Sequence, residues 1–258
     1  MMITRFVSAF VALTMSITAY AQEGAPTAQA KKPVVLLVGA TGSNGSVVLK
    51  QLQALSGQPY EVRAMSRDAA SAVSKYGKTA NWFEADVLKP ETLTKVVHGV
   101  DYIIDAKAAT GVLGDNRPEA VDLEGTKNMI AAAKASGVKH YVIITSSVSG
   151  QKNKFLNLIL RDVLIYKGLA EEALISSGLN YTIVGPAAMN NDPPGKQIKL
   201  IPRKDYVRGQ KITRADTAAV CIEAMTNPDA VNKAFSIHNG EIPDTGAWKQ
   251  SFTALPAR

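Results

Sequence analysis

Two hydrophobic rhythms alternate along this chain. Val34 to Val38 is an unbroken apolar run, the pattern of a strand covered on both faces of a sheet. From Ser43 to Ser56 the apolar residues Val48, Leu52 and Leu55 recur at helical spacing, which predicts a helix. Further strands are predicted at Tyr60 to Ser66, Ala80 to Glu84, Tyr102 to Ala106, His140 to Thr145 and Tyr181 to Val184. Between them, helical spacing marks Asp68 to Tyr76, Lys89 to Val97, about Arg117 to Ser136, and Leu156 to Ser177. Gly137 and Gly178 follow the last two, as helix-ending glycines do. The tail adds a strand near Ile198 to Ile201, a helix from Arg214 to Thr226 and a strand near Ala234 to His238. Strand and helix in strict alternation imply right-handed crossovers and an α/β fold with a doubly wound parallel sheet. No linker interrupts the pattern after Pro33, so residues 33–258 are expected to be a single domain, with a small substrate-side region at its C-terminal end.

The N-terminus follows a different rule. Arg5 precedes an apolar run from Phe6 to Ala19, then the small-x-small triplet Ala19-Tyr20-Ala21, then the polar Gln22-Glu23-Gly24. This is the layout of a secretory signal peptide at 1–21, followed by a linker at 22–32. The run is short for a membrane span, which needs roughly 20 apolar residues. An exported protein, periplasmic or secreted, is therefore expected, with no stable membrane insertion after cleavage. Intact-mass analysis of protein recovered from the producing cell should find a chain beginning at Gln22. A full-length soluble cytoplasmic species would refute export.

Composition narrows the chemistry. The net charge of +7 is scattered, with no run of five basic residues, so it favours small anionic ligands over nucleic acid. The single cysteine, Cys221, excludes an intrachain disulfide and lies in an alanine-rich helical stretch, where a buried structural thiol is expected. His98, His140 and His238 stand far apart, and no His/Cys group has metal-ligand spacing, so no metal is expected. The sequence assigns no oligomeric state.

The informative motif lies where the first strand meets the first helix: Gly39-Ala40-Thr41-Gly42-Ser43-Asn44-Gly45. Glycines there allow a tight turn, let backbone approach a pyrophosphate and let the helix pack closely on its strand. The helix N-terminus then offers N–H groups and the positive end of its dipole to phosphate. Gly39, Thr41, Gly42, Ser43, Asn44 and Gly45 are accordingly candidate dinucleotide-binding residues. At the end of the second strand, where an NAD site places an acid for the ribose, stands Ser66, followed by Arg67. Arg67 is suited either to pair with a 2′-phosphate or to stand in solvent, and Arg63 is open to both readings too. Asp86 and Val87, after the third strand, fall where an adenine edge would be lined. NADP is the expected cofactor, ahead of NAD.

These residues resemble the atypical short-chain dehydrogenase/reductase superfamily, in particular its NAD(P)H-binding, NmrA-like branch with Tic62-like and flavin-reductase-like members. The resemblance is carried by GATGSNG (39–45), VRAMSRD (62–68), EADV (84–87), VDLEGTKNMIAAAKASGVKHYVIITSS (121–147), YKGLAEEALISSGLNYTIVGP (166–186) and ITRAD (212–216). It implies a Rossmann-type NAD(P)-binding fold. It also implies that Ala106, Lys107 and Ala108 flank the nicotinamide ribose, that Ser146 and Ser147 face a small-molecule substrate, and that Lys167 holds the ribose hydroxyls. The residue pattern agrees about Lys167: it falls on the apolar helix face of Leu156, Leu160, Val163, Leu164, Ala170 and Leu174, so its ammonium must snorkel out or find buried acceptors.

Three positions depart from the superfamily pattern. Val163 stands where the catalytic tyrosine precedes the lysine by four residues, leaving Tyr166 as the nearest phenol. Lys107 replaces a small residue, and Gly185 stands where relatives often carry arginine. The expected function is hydride transfer from NADPH to an acceptor that takes its proton from water or from a weak donor such as Ser146 or Tyr166. Non-catalytic cofactor binding or redox sensing, and a sugar-derivative epimerase or dehydratase, are the alternatives.

Overall fold

The apolar run Val34–Val38 is the central strand β1, buried along its whole length. The computed structural model describes residues 31–78, 80–111, 113–151 and 162–257. The expected signal peptide, most of the linker and the first part of the helix expected from Leu156 lie outside the described residues. On one side of β1 lie β2 (Glu61–Ser66) and β3 (Asn81–Glu84); on the other lie β4 (Tyr102–Asp105), β5 (His140–Ile144) and β6 (Tyr181–Pro186). The chain thus reverses direction across the sheet between β1 and β4. Register aligns Val38 with Asp105 and Asp105 with Ile143, so the carboxyl ends of three strands open on one crevice. In open α/β sheets that crevice is where ligands bind.

Two apolar layers sandwich the sheet. One holds the buried faces of α1 (Gly45–Ala54) and α6 (Arg214–Thr226), including Val48, Leu52, Val220 and Cys221. The other holds α3 (Pro90–Val97), α4 (Gly125–Ser136) and α5 (Val163–Ile175), with Leu93, Met129, Ala133 and Leu174 at its centre. A shorter helix, α2 (Ala69–Tyr76), follows β2. Cys221 is fully buried, and burial holds its thiol well above the ordinary range, so it is an inert core residue. Among the described residues no helix is long and apolar enough to cross a membrane.

The structure departs from the sequence-based expectation at four places. The sheet is not wholly parallel, because β8 (Lys196–Pro202) pairs antiparallel with β10 (Lys233–Pro243) as its edge strand. Two strands of three residues, β7 (Ala188–Asn190) and β9 (Lys211–Thr213), form a separate small sheet; they are too short to show a period. The helix expected from Arg117 opens instead with a π-helical turn, Glu119–Glu124, and becomes α-helical at Gly125. There the Gly125 N–H donates to Ala120 O, five residues back, and the turn presses so close to Val87 that a Cβ on Gly125 would lie 2.6 Å from Val87 Cγ2. Finally, the helix expected over Leu156 to Ser177 is not continuous: Asp162 is left-handed (φ 59°), and α5 begins after it.

Candidate functional site

The glycine-rich turn shows why each glycine is needed. Gly39 takes a left-handed φ of 73°, and a Cβ there would sit 2.7 Å from Lys107 Cα. A Cβ on Gly45 would lie 2.0 Å from Gly39 O, so α1 packs on β1 only because that side chain is absent. Gly42 is different: its Cβ would meet only Gly39 O, at 3.3 Å, and would otherwise project outward. At the turn, the N–H groups of Ser43 and Asn44 donate to no backbone carbonyl among the described residues. The side-chain oxygen of Asn44 is buried and accepts no hydrogen bond there either. Free N–H donors at a helix N-terminus, an open glycine cradle and an unsatisfied buried acceptor fit a pyrophosphate with its neighbouring ribose hydroxyls. The turn itself is braced by Tyr76, whose hydroxyl donates to Thr41 O at 2.9 Å.

One cleft gathers most of the residues singled out from the sequence. Gly39, Thr41, Gly42, Ser43 and Asn44 form one wall; Arg67, Asp86 and Val87 form the far end; Ala106 and Lys107 lie along the bottom. Gly45 stands just behind the wall, buried under the turn. Ser66 is buried, and its hydroxyl donates to Asp68 O. Asp68 follows Arg67 in the chain, and its carboxylate accepts from Ser71 N as the N-cap of α2. Arg67 is exposed and makes no hydrogen bond or ion pair with the described residues, while Asp86 and the exposed Glu84 stand at the neighbouring end of β3. Arg63 is committed elsewhere: it donates to Val96 O and His98 O at the end of α3 and stacks over Phe83. Asp86 accepts from Leu88 N, and Val87 O accepts from Asn128.

Lys107 lines the cleft, yet its ammonium turns into the protein. It pairs with Asp105 at 2.5 Å and donates to Thr126 Oγ1 at 2.7 Å, with only 7% of its side chain exposed. Asp105 also accepts from the Tyr141 hydroxyl at 2.7 Å. Burial first, and the Asp105 charge second, hold the Tyr141 phenol well above its usual range, so it stays a donor.

Lys167, Ser146 and Tyr166 are not part of that cleft's lining. Lys167 finds the buried acceptor its apolar helix face demands: Asp122, at 2.8 Å, on the π-helical turn before α4. Tyr166 is half-buried beside it. The Ser146 hydroxyl accepts from Val148 N, and its carbonyl accepts from Arg203. Ser147, also expected to face substrate, turns inward and donates to Gly185 O. A Cβ on Gly185 would lie 3.0 Å from Ser146 O, the atom that the Arg203 guanidinium reaches from beyond β8 at 2.8 Å while pairing with Glu171. Asp105, Asp122 and Arg203 were not singled out from the sequence. Asp105 and Asp122 are acids among apolar neighbours and Arg203 sits in a charged stretch, and none of the three is marked by a local motif. A larger cavity, about 740 Å³, opens behind α5 between Gly168, Glu172 and Pro256. It shares no residue with the glycine-rich turn, so chemistry rather than size locates the site.

This is a dinucleotide cleft on a doubly wound sheet, and comparison with known proteins agrees. A family profile described as NAD(P)H-binding matches residues 39–228. The chain belongs to that NAD(P)H-binding family, within the NmrA-like branch of the atypical short-chain dehydrogenases/reductases. It is 31% identical over 264 residues to sanguinarine reductase of Eschscholzia californica, covering 87% of this chain and 95% of that one. It is 29% identical over 217 residues to YhfK of Bacillus subtilis (strain 168), an uncharacterized sugar epimerase, covering 84% and 99%. A solved structure of a putative NAD-dependent epimerase/dehydratase from Bacillus halodurans shares the fold, with a TM-score of 0.72, 24% identity and coverage of 86% and 100%.

Proposed function

We propose that this protein is an NADPH-dependent reductase whose acceptor lies beyond the carboxyl ends of β5 and β6, near Ser146. The observation that carries the NADP half of this reading is the rim of the cleft. Arg67 is exposed and unpaired among the described residues, Ser66 stands where an NAD site places its acid, and the Asp68 carboxylate is spent capping α2. A free guanidinium suits a 2′-phosphate, and a serine replaces the strand-end acid that takes the hydroxyls of an NAD ribose. The cofactor supplies a hydride. This chain supplies the cradle at Gly42 to Asn44, the Lys107 backbone beneath the cleft, and Lys167, paired with Asp122 next to the cleft residue Val121.

The reductase half rests on the likeness to sanguinarine reductase and on position 163. An epimerase or dehydratase needs a strong acid/base beside the sugar, and Val163 cannot be one. An acceptor that takes its proton from water, or from Ser146 or Tyr166, does not need that group.

Titration calorimetry should find NADPH bound about 10- to 100-fold more tightly than NADH, the worth of one or two charge-assisted contacts. Arg67→Ala should bring the two cofactors close to parity. Equal wild-type affinities, with Arg67→Ala neutral, would remove the NADP assignment. NADPH oxidation across a panel of quinones, flavins and aldehydes tests the reductase reading. Tight NADPH binding with every acceptor inert would leave a cofactor-binding sensor instead.

A further inference from the structure

The loop that leaves β5, residues 146–151, carries Ser146, and a residue from the far edge of the sheet holds it. Arg203 directly follows β8, the antiparallel edge strand, 57 residues beyond Ser146. Its guanidinium forks across three oxygens. Nη1 donates to Ser146 O at 2.8 Å. Nη2 donates to Thr145 Oγ1 at 3.1 Å and to Glu171 Oε1 of α5 at 2.8 Å. Glu171 is buried, so the pair balances two charges where water is scarce. Ser146 O also accepts from Ser149 N, which closes the loop on itself. The loop's other end is pressed onto α5: Gly150 N donates to Leu164 O at 2.7 Å, and a Cβ on Gly168 would lie 2.6 Å from Gly150 Cα. A second tie comes from the segment after β8, where Arg208 donates to Gln151 Oε1 at 3.1 Å. β6 offers no side chain here, since a Cβ on Gly185 would already lie 3.0 Å from Ser146 O. The guanidinium reaches that oxygen from β8 instead.

We propose that Arg203 is the positioning residue for the side of the site that meets the hydride acceptor. It fixes the peptide after Ser146, and with it the direction in which the Ser146 hydroxyl faces that acceptor. The Ser146 hydroxyl accepts from Val148 N, which leaves its own proton uncommitted among the described residues. Three contacts at once require a planar fork, which arginine has and lysine lacks. The antiparallel pair β8 and β10 is thereby part of the site's machinery, beyond closing the edge of the sheet. The phosphate end has its own supports, in the glycine-rich turn and Tyr76, and owes nothing to Arg203. This inference rests on the NADPH-reductase reading.

Arg203→Lys is the test, because lysine keeps a charge for Glu171 but donates from a single point. Hydrogen exchange read by mass spectrometry should show the 146–151 segment exchanging about ten-fold faster than in the wild type, with the 39–45 segment unchanged. With an acceptor from the panel that the wild type reduces, kcat should fall about ten-fold, while the NADPH dissociation constant stays within about twofold. If either the 146–151 exchange or kcat is unchanged, the proposal is overturned. Faster exchange throughout the sheet overturns it too, since Arg203 would then be a prop for the whole fold. NADPH binding that weakens as much as turnover does the same, by removing the separation of the two ends. If Arg203→Lys does not fold, the double variant Arg203→Met with Glu171→Gln gives the same readings, because removing both charges strands neither. A wild type that binds NADPH and reduces no acceptor defeats the reductase reading, and this proposal with it. A wild type that turns over, matched by its variants, defeats this proposal alone.

Discussion

Gly42→Val is expected to abolish NADPH binding while leaving the protein folded. A side chain at this position meets nothing inside the protein closer than Gly39 O, so the turn keeps its shape. The added isopropyl group instead occupies the open cradle in front of the free N–H groups of Ser43 and Asn44, where backbone must approach the phosphates. An affinity loss of ~100-fold or more, roughly 2.8 kcal/mol, is expected by calorimetry. Far-ultraviolet circular dichroism and the thermal transition should stay close to wild type. Gly45→Val is the informative contrast. Its Cβ falls 2.0 Å from Gly39 O, so α1 must move off β1, and stability should fall together with binding. Wild-type affinity in Gly42→Val would show that this glycine serves the turn alone.

Asp105→Ala is expected to cost about 3–5 kcal/mol of stability, the range for leaving a buried charge without its partner. Asp105 is completely buried at the end of β4 and takes both the Lys107 ammonium and the Tyr141 hydroxyl. Removing the carboxylate leaves an ammonium that is 7% exposed with only Thr126 to receive it, and orphans the Tyr141 phenol in the core. Urea denaturation at neutral pH reads the loss directly. Lys107→Met should be milder, because Asp105 keeps Tyr141 and the Lys107 backbone N–H as donors. A cost below about 1 kcal/mol would show that water reaches this cluster and screens it.

The alternation of strands and helices was legible because the central strands are nearly pure apolar runs, which only a doubly covered sheet uses. The glycine-rich turn was legible for a related reason: its residue types answer to one backbone geometry, whatever surrounds it. Lys167 was half legible. Its apolar helix face demanded an acceptor, but nothing local says that the acceptor is Asp122, 45 residues earlier. Lys107 reads as a cleft lysine until Thr126, 19 residues on, and the neighbouring strand end are brought against it. The π-helical turn left no trace, because the apolar positions of 117–136 suit an α-helix equally well. The break at Asp162 was hidden in the same way, since an aspartate among leucines does not disclose a left-handed φ.

The contact between Gly39 and Lys107 also bears on how such a protein changes over generations. With the turn after β1 pressed against the loop after β4, the two long walls of the cleft are one interlocked piece, and neither tolerates substitution at the contact. Arg67, by contrast, is exposed and supports no packing. Mutational drift in which dinucleotide is preferred is therefore channelled to position 67, where exchange of a side chain is nearly free of folding consequences, while Ser66 and Asp68 on either side are tied into the strand end and the α2 cap. The interlocked walls stay fixed, and a lineage could alter its redox currency there without rebuilding the domain.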